Sequence, residues 1–104
     1  MIMQLSSGEK LLAEAQASHI KKLLVFPQPN PGKMYVTDKR VVFESSHIDQ
    51  SASFTHDLAE IASFSAGAAS TITLHLKGGE AHKITGMFNK KLIAALTEAG
   101  VQKD

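Results

Sequence analysis

Gly32-Lys33-Met34-Tyr35-Val36-Thr37-Asp38-Lys39-Arg40-Val41-Val42-Phe43 is the stretch whose reading decides the fold. On either side of Asp38-Lys39 stand β-branched, aromatic and long apolar residues, the types that favour a pleated surface. A two-residue loop at Asp38-Lys39 sets Thr37 opposite Arg40, Val36 opposite Val41 and Met34 opposite Phe43. Side chains alternate along a strand. Met34, Val36, Val41 and Phe43 therefore share one apolar face, and Tyr35 and Val42 share the other. A slip of one residue would mix the two sets, so burial of one face selects this register.

The segment before the hairpin, residues 7–24, supports two readings. Leu11 and Ala15, and Leu12 and Gln16, recur at helical spacing, and Ser6-Ser7-Gly8-Glu9 has the form of a capping box. Ala13, Ala15 and Ala17 also alternate with Glu14, Gln16 and Ser18, as in a strand. Residues 20–26 continue extended. Pro27, Pro29 and Pro31 have no N–H to give a ladder, so a stiff loop is expected there, released into the hairpin at Gly32.

Beyond the hairpin, residues 44–53 are small and polar and read as a loop, with a short strand over 53–56. Leu58 and Ile61 are the expected anchors of the next step, residues 62–64 resume a strand, and 65–70 read as a loop of small residues. Residues 71–76 alternate cleanly, with Ile72, Leu74 and Leu76 facing in. For the return over 81–85, a three-residue loop from Gly78 to Glu80 sets Leu74 opposite Ile84 and keeps one apolar face. Phe88, Leu92 and Leu96, spaced by four, predict a helix over 88–99. Asn89 is its expected N-cap, Gly100 its C′ residue, and Val101 the apolar residue that folds back on the last turn.

With 104 residues the chain is read as a single domain, 1–104. It has no cysteine, so disulfide and thiolate chemistry are excluded; this composition fits a reducing compartment, and a cytoplasmic location is expected. No apolar run approaches the roughly 20 residues that span a bilayer as a helix. Eleven basic against ten acidic residues give a net charge of +1, and only six residues are aromatic, a composition that argues against nucleic acid as a partner.

Motifs for catalysis are weak. The five histidines, His19, His47, His56, His75 and His82, show no metal-ligand spacing and read as surface or rim residues. In the expected register His75 and His82 point to opposite faces, His75 beside Lys83 and His82 beside Leu76. Ser45-Ser46-His47-Ile48-Asp49 crowds the triad residue types into one polar loop, without the buried carboxylate and oxyanion hole that a triad needs. Gly78-Gly79 is a turn and not a phosphate cradle. No enzyme activity, metal or cofactor is expected.

A Gly, an aromatic and β-branched strand, Thr37-Asp38-Lys39-Arg40, and an apolar strand ending in Phe43-Glu44-Ser45 together resemble the core of the GRAM domain family, within the pleckstrin-homology-like superfold. Gly8-Glu9-Lys10 is similar to that family's opening, and Asp57-Leu58-Ala59-Glu60-Ile61 to its step into the second sheet. The likeness implies a mainly β fold: a pleckstrin-homology-like small barrel of about seven antiparallel strands with one C-terminal α-helix. It requires residues 7–24 to be a strand, against their helical propensity.

The resemblance further implies a non-catalytic binding module that contacts an anionic membrane surface, a lipid headgroup or a protein partner, peripheral to the membrane at most. A self-associating scaffold that forms a homo-oligomer is the alternative. The expected anion-binding residues are Lys21, Lys22 and Lys33, flanking the proline segment, with Lys39 and Arg40 at the hairpin tip. The superfold's inositol-phosphate signature, a Lys followed by a spaced basic residue and an Arg, is not matched, because Lys33 is followed by Met34 and Tyr35. Lys90 and Lys91 open the helix, where the macrodipole disfavours cations.

Overall fold

A computed structural model describes residues 5–23, 26–46, 53–67 and 71–104. The strands are β1 (Leu11–Leu23), β2 (Phe26–Thr37), β3 (Arg40–Ser45), β4 (Phe54–Asp57), β5 (Ile61–Gly67), β6 (Thr71–Leu76) and β7 (Ala81–Thr85); a 3₁₀ turn, Leu58–Glu60, joins β4 to β5, and α1 (Asn89–Glu98) closes the chain. Every paired neighbour is antiparallel, in the order β4-β3-β2-β1-β7-β6-β5.

The central hairpin has the expected register: Val36 faces Val41, Tyr35 faces Val42 and Met34 faces Phe43. Met34, Val36, Val41 and Phe43 are fully buried. Residues 11–23 are strand, not helix. Ala13, Ala15 and Ala17 point into the core opposite Val36, Met34 and Gly32. Two neighbours, β2 along its length and β7 at Ser18–Ile20, complete the ladder of β1, and that pairing outweighs a helical preference of a few tenths of a kcal/mol per residue. The small alanines let α1 lie close across β1, and its Leu92, Ala95 and Leu96 fill the same core.

Several expectations need correction. The proline segment is not a loop: Pro27, Pro29 and Pro31 all lie in β2, opposite Lys22, Ile20 and Ser18. In an antiparallel strand the N–H and C=O of one residue point to the same side. The Pro31 carbonyl accepts from Ser46 N on the β3 side, so the missing N–H of Pro31 also points away from β1. Pro29 and Pro27 share that parity, and β3 ends at Ser45, so all three point off an open edge where no donor is needed. Glu44 and Ser45, read as loop, belong to β3, and 65–67, also read as loop, belong to β5.

The β6–β7 register is shifted by two from the expected one: Ile72 faces Ile84, Leu74 faces His82 and His75 faces Ala81. The loop is Lys77-Gly78-Gly79, closed by Leu76 N–H donating to Glu80 O at 2.8 Å. A three-residue hairpin loop ends in a left-handed residue. Gly79 takes φ 98° there, a conformation that the expected loop would have forced on Glu80. Parity is kept, so His75 and His82 do point to opposite faces, and His82 joins the inward one.

The helix begins one residue later than expected. Asn89 is not an N-cap: its side-chain amide donates to Ile84 O at 3.1 Å and is buried, which turns Phe88 outward and leaves Leu92, Ala95 and Leu96 as the apolar stripe. The end is as read, with Val101 N donating to Leu96 O at 3.0 Å and Gly100 N to Thr97 O at 3.1 Å, a Schellman stop.

At Gly32 the sheet leaves no room for a side chain: a Cβ would lie 2.3 Å from Glu44 O and 2.8 Å from the Phe43 ring. Gly32→Ala is expected to lower the free energy of unfolding by about 1–3 kcal/mol, the range for overpacking; chemical denaturation of the variant against the parent measures it.

Candidate functional site

The hairpin tip is built around one buried carboxylate. Glu9 accepts from Arg40 Nε at 2.8 Å and Nη2 at 3.1 Å, from the Thr37 hydroxyl at 2.6 Å and from Ser6 N at 2.8 Å. Its side chain is only 1% exposed. Thr37 Oγ1 in turn accepts from Lys39 N and Arg40 N, which closes the loop. Asp38 exchanges bonds with the backbone of Lys10, and Leu58 N donates to Lys39 O. The Ser6-to-Glu9 pattern is therefore local and real, but it caps a turn and no helix follows. The Arg40 guanidinium, with Thr37 and Ser6, holds the Glu9 carboxyl down at about 2 against the desolvation that would raise it, and Glu9 pushes Arg40 upward.

Arg40 is thus engaged within the fold. Lys39 is exposed at the same tip. Lys33 pairs with Glu14 at 3.2 Å, a solvent-exposed contact, and its Nζ stands 5.8 Å from the Tyr35 ring centre. Lys21 and Lys22 lie in β1 opposite Gln28 and Pro27, so Lys33 is five residues along β2 from the partner of Lys21. That is about 17 Å of strand. Lys39 and Arg40 lie beyond the far end of the same ladder, where Thr37 faces Leu11. The five basic residues do not converge on one site.

A different surface gathers at the β7–α1 junction. A cleft of about 400 Å³ opens between Ser18, Pro31, Ser46, Thr85, Met87 and Phe88. Met87 is 85% exposed and Phe88 50%; with Leu5 they are the exposed large apolar residues among those described. Lys90 and Lys91 follow in the first helical turn, both exposed, with no acid in that turn and no ion pair to another described residue.

Histidines form a second gathering. His19, His56 and His82 meet around Phe43 and Phe54 inside the barrel, and His19 is buried, contrary to a surface or rim reading. His75 contacts Ser65 and Asp104, while His47 and Asp49 lie outside the described residues. Among the described residues no three His, Cys, Asp or Glu are arranged to hold a metal ion, and no helix is long and apolar enough to cross a membrane.

Residues 1–94 match the GRAM domain family. The chain belongs to that family. No curated protein matches it. Among solved structures, a C-terminal domain of an unknown protein from Leishmania infantum is similar at a TM-score of 0.72 and 16% identity, covering 89% of this chain and 85% of that one. The linker-DH/PH domains of p115-RhoGEF are similar at 0.70 and 12% identity, covering 90% of this chain and 30% of that one. The Vps36 N-terminal PH domain is similar at 0.61 and 17% identity, covering 93% and 81%. At these identities the likeness concerns the fold: a mainly β, pleckstrin-homology-like domain with one C-terminal helix.

In this GRAM domain the family-like residues Gly8-Glu9-Lys10 and Thr37-Asp38-Lys39-Arg40 meet one another and build the tip. Glu9 has its folded pKa lowered from 4.5 to about 2, so its stabilising contribution is complete above pH 4.5 and is lost as pH falls towards 2. That shift corresponds to roughly 3 kcal/mol. Glu9→Gln is expected to be less stable than the parent at neutral pH and to lack that share of the acid-induced loss between pH 4.5 and 2. Urea titrations at several pH values test this.

Proposed function

We propose that this GRAM domain is a non-catalytic module that docks reversibly on an anionic membrane surface. The observation that carries the proposal is the exposed Met87-Phe88 pair, followed after the buried Asn89 by exposed Lys90 and Lys91. Apolar side chains that project beside cations suit a bilayer interface, where the apolar parts enter the headgroup boundary and the ammonium groups stay near lipid phosphates. GRAM and pleckstrin-homology-like domains are in general binding modules for lipids or proteins, which supports the reading.

Magnitudes set the character of the contact. Each lysine near an anionic leaflet contributes about 1 kcal/mol. Complete burial of a Met or Phe side chain contributes about 1.5–3 kcal/mol, and an interfacial site supplies part of it. The sum, before the cost of association, is comparable with a single lipid chain, a marginal anchor that comes off readily. Lys21, Lys22, Lys33 and Lys39 add longer-range attraction that salt screens within about 8–10 Å; they are accessory charge in this proposal, and Arg40 is held by Glu9.

A protein partner joined by strand addition is the second reading. The sheet has two edges, β4 and β5. The chain's own C-terminus lies along part of the β5 edge, with Phe64 N donating to Gln102 O and Asp104 N to Phe64 O, both at 2.9 Å. That leaves the four-residue β4 as the more open edge for a partner or a second copy.

Sedimentation with vesicles of neutral or phosphatidylserine-containing lipid decides between them. The expected result is retention by the anionic vesicles alone, weakened by salt. Lys90→Glu with Lys91→Glu should weaken it about tenfold or more, and Lys21→Glu with Lys22→Glu by less. Met87→Ser with Phe88→Ser should weaken it about tenfold without changing its salt dependence. Equal recovery with neutral and anionic vesicles would reject the proposal, and concentration-dependent light scattering would then favour self-association.

A further inference from the structure

Among the described residues β4 has no strand partner but β3. Where it crosses the β1–β7 side of the barrel, side-chain rings join the two in place of a backbone ladder. Phe54 stacks on His82 with centroids 4.2 Å apart and planes 4° from parallel. His19 stands edge-on to Phe43 at 5.6 Å and to Phe54 at 5.2 Å. Through this stack runs a chain of ring nitrogens. His19 Nε2 is 3.2 Å from His82 Nδ1, His82 Nε2 is 3.1 Å from His56 Nε2, and His56 Nδ1 is 3.2 Å from Glu60 Oε1.

The chain has one consistent proton order when all three rings are neutral. An ionised carboxylate only accepts, so His56 carries its proton on Nδ1 and offers the lone pair of Nε2. His82 must then donate from Nε2 and accept at Nδ1, and His19 must donate from Nε2. A single additional proton can be carried by shifting tautomers along the chain, but protons on both His56 and His82 set two N–H groups head-on across the 3.1 Å Nε2–Nε2 contact. A proton held on His82 places a charge in an aromatic stack, face to face with Phe54.

We propose that this imidazole chain is an acid-sensitive latch, which holds β4 and the following 3₁₀ turn against β1 and β7 while His82 is neutral and releases them when His82 is protonated. The inference concerns a different part of the molecule from the β7–α1 surface proposed to meet a membrane and does not depend on it.

Other groups around His82 favour neutrality. His19 faces it from β1, His56 and Phe54 from β4, and Leu74 stands opposite on β6. Glu60 reaches it only through His56, and Lys77 and Glu80 line the adjoining cleft of about 380 Å³ beside His56. Desolvation, with repulsion from His19 and His56, pushes the His82 pKa down from 6.5 to about 4. Once the latch opens, His82 regains an ordinary affinity for protons. The closed form is therefore favoured in full above about pH 6.5 and loses ground as pH falls towards 4.

The test is nuclear magnetic resonance on the intact chain between pH 7.5 and 4. Long-range proton–nitrogen spectra should show His56 as the Nδ1–H tautomer, His19 and His82 as Nε2–H, and His82 still neutral at pH 5. Amide exchange in β4, corrected for its intrinsic pH dependence, should rise roughly fiftyfold between pH 6.5 and 4.5, while exchange in β2 does not follow. His82→Phe keeps the ring stack and removes the nitrogens, and should abolish that rise. An ordinary His82 titration near 6.5, or β4 exchange with the same pH dependence as β2, would overturn the latch. Both are read on the parent protein, so the proposal stays testable if the variant does not fold.

Discussion

The constraint on which the architecture turns is the buried carboxylate of Glu9. Taking a charge out of water costs several kcal/mol unless it is paired and fully hydrogen-bonded. Here the remedy comes from two distant places in sequence, Ser6 beside it and Thr37 and Arg40 across the fold. Satisfying Glu9 therefore forces the start of the chain onto the tip of the β2–β3 hairpin. The same tip accepts Leu58 N through Lys39 O and so positions the step from β4 into β5. Both halves of the barrel are aligned from this point. An apolar contact in its place would give adhesion without direction. The bidentate Arg40 fork fixes an orientation as well as a contact.

This explains why the family likeness was informative about fold and reticent about function. Glu9, Thr37 and Arg40 are polar and charged residues of the kind that often mark binding, yet they spend their hydrogen bonds on one another. Sequence alone could not decide this, because Arg40 reads equally as a ligand contact or a tip residue until Glu9 is seen beside it. The central hairpin was legible for the opposite reason. Met34, Val36, Val41 and Phe43 permit one register with a dry face, and parity settles the pairing without distant information.

Elsewhere the misreadings have local causes. Proline breaks a ladder only where its N–H would be needed, and three prolines at alternate positions all point to the same open edge. For the β6–β7 turn the apolar pattern was indifferent to a shift of two, and the left-handed conformation of Gly79 decided it. That shift is also what hid the histidine chain. In the expected register His82 stood beside Leu76, whereas the real one sets it opposite Leu74, within reach of His19 and His56. No spacing rule finds such a group, because its members lie on β1, β4 and β7.

The two unusual regions follow from how the barrel closes. One side is covered by α1, and the chain entering that helix passes so close to β1 that a Cβ on Gly86 would lie 3.1 Å from Gln16 O. Asn89 then ties the start of the helix back to Ile84 O. Between these two fixed points Met87 and Phe88 have no core position left, and their exposure is a consequence of the covering and not of a poor apolar pattern. On the seam side β4 forms no ladder with β7, and rings close the gap. Aliphatic side chains would have closed it at any pH. A stack centred on His82 closes it most firmly while His82 is neutral, so the seam differs from the rest of the core in its dependence on protons.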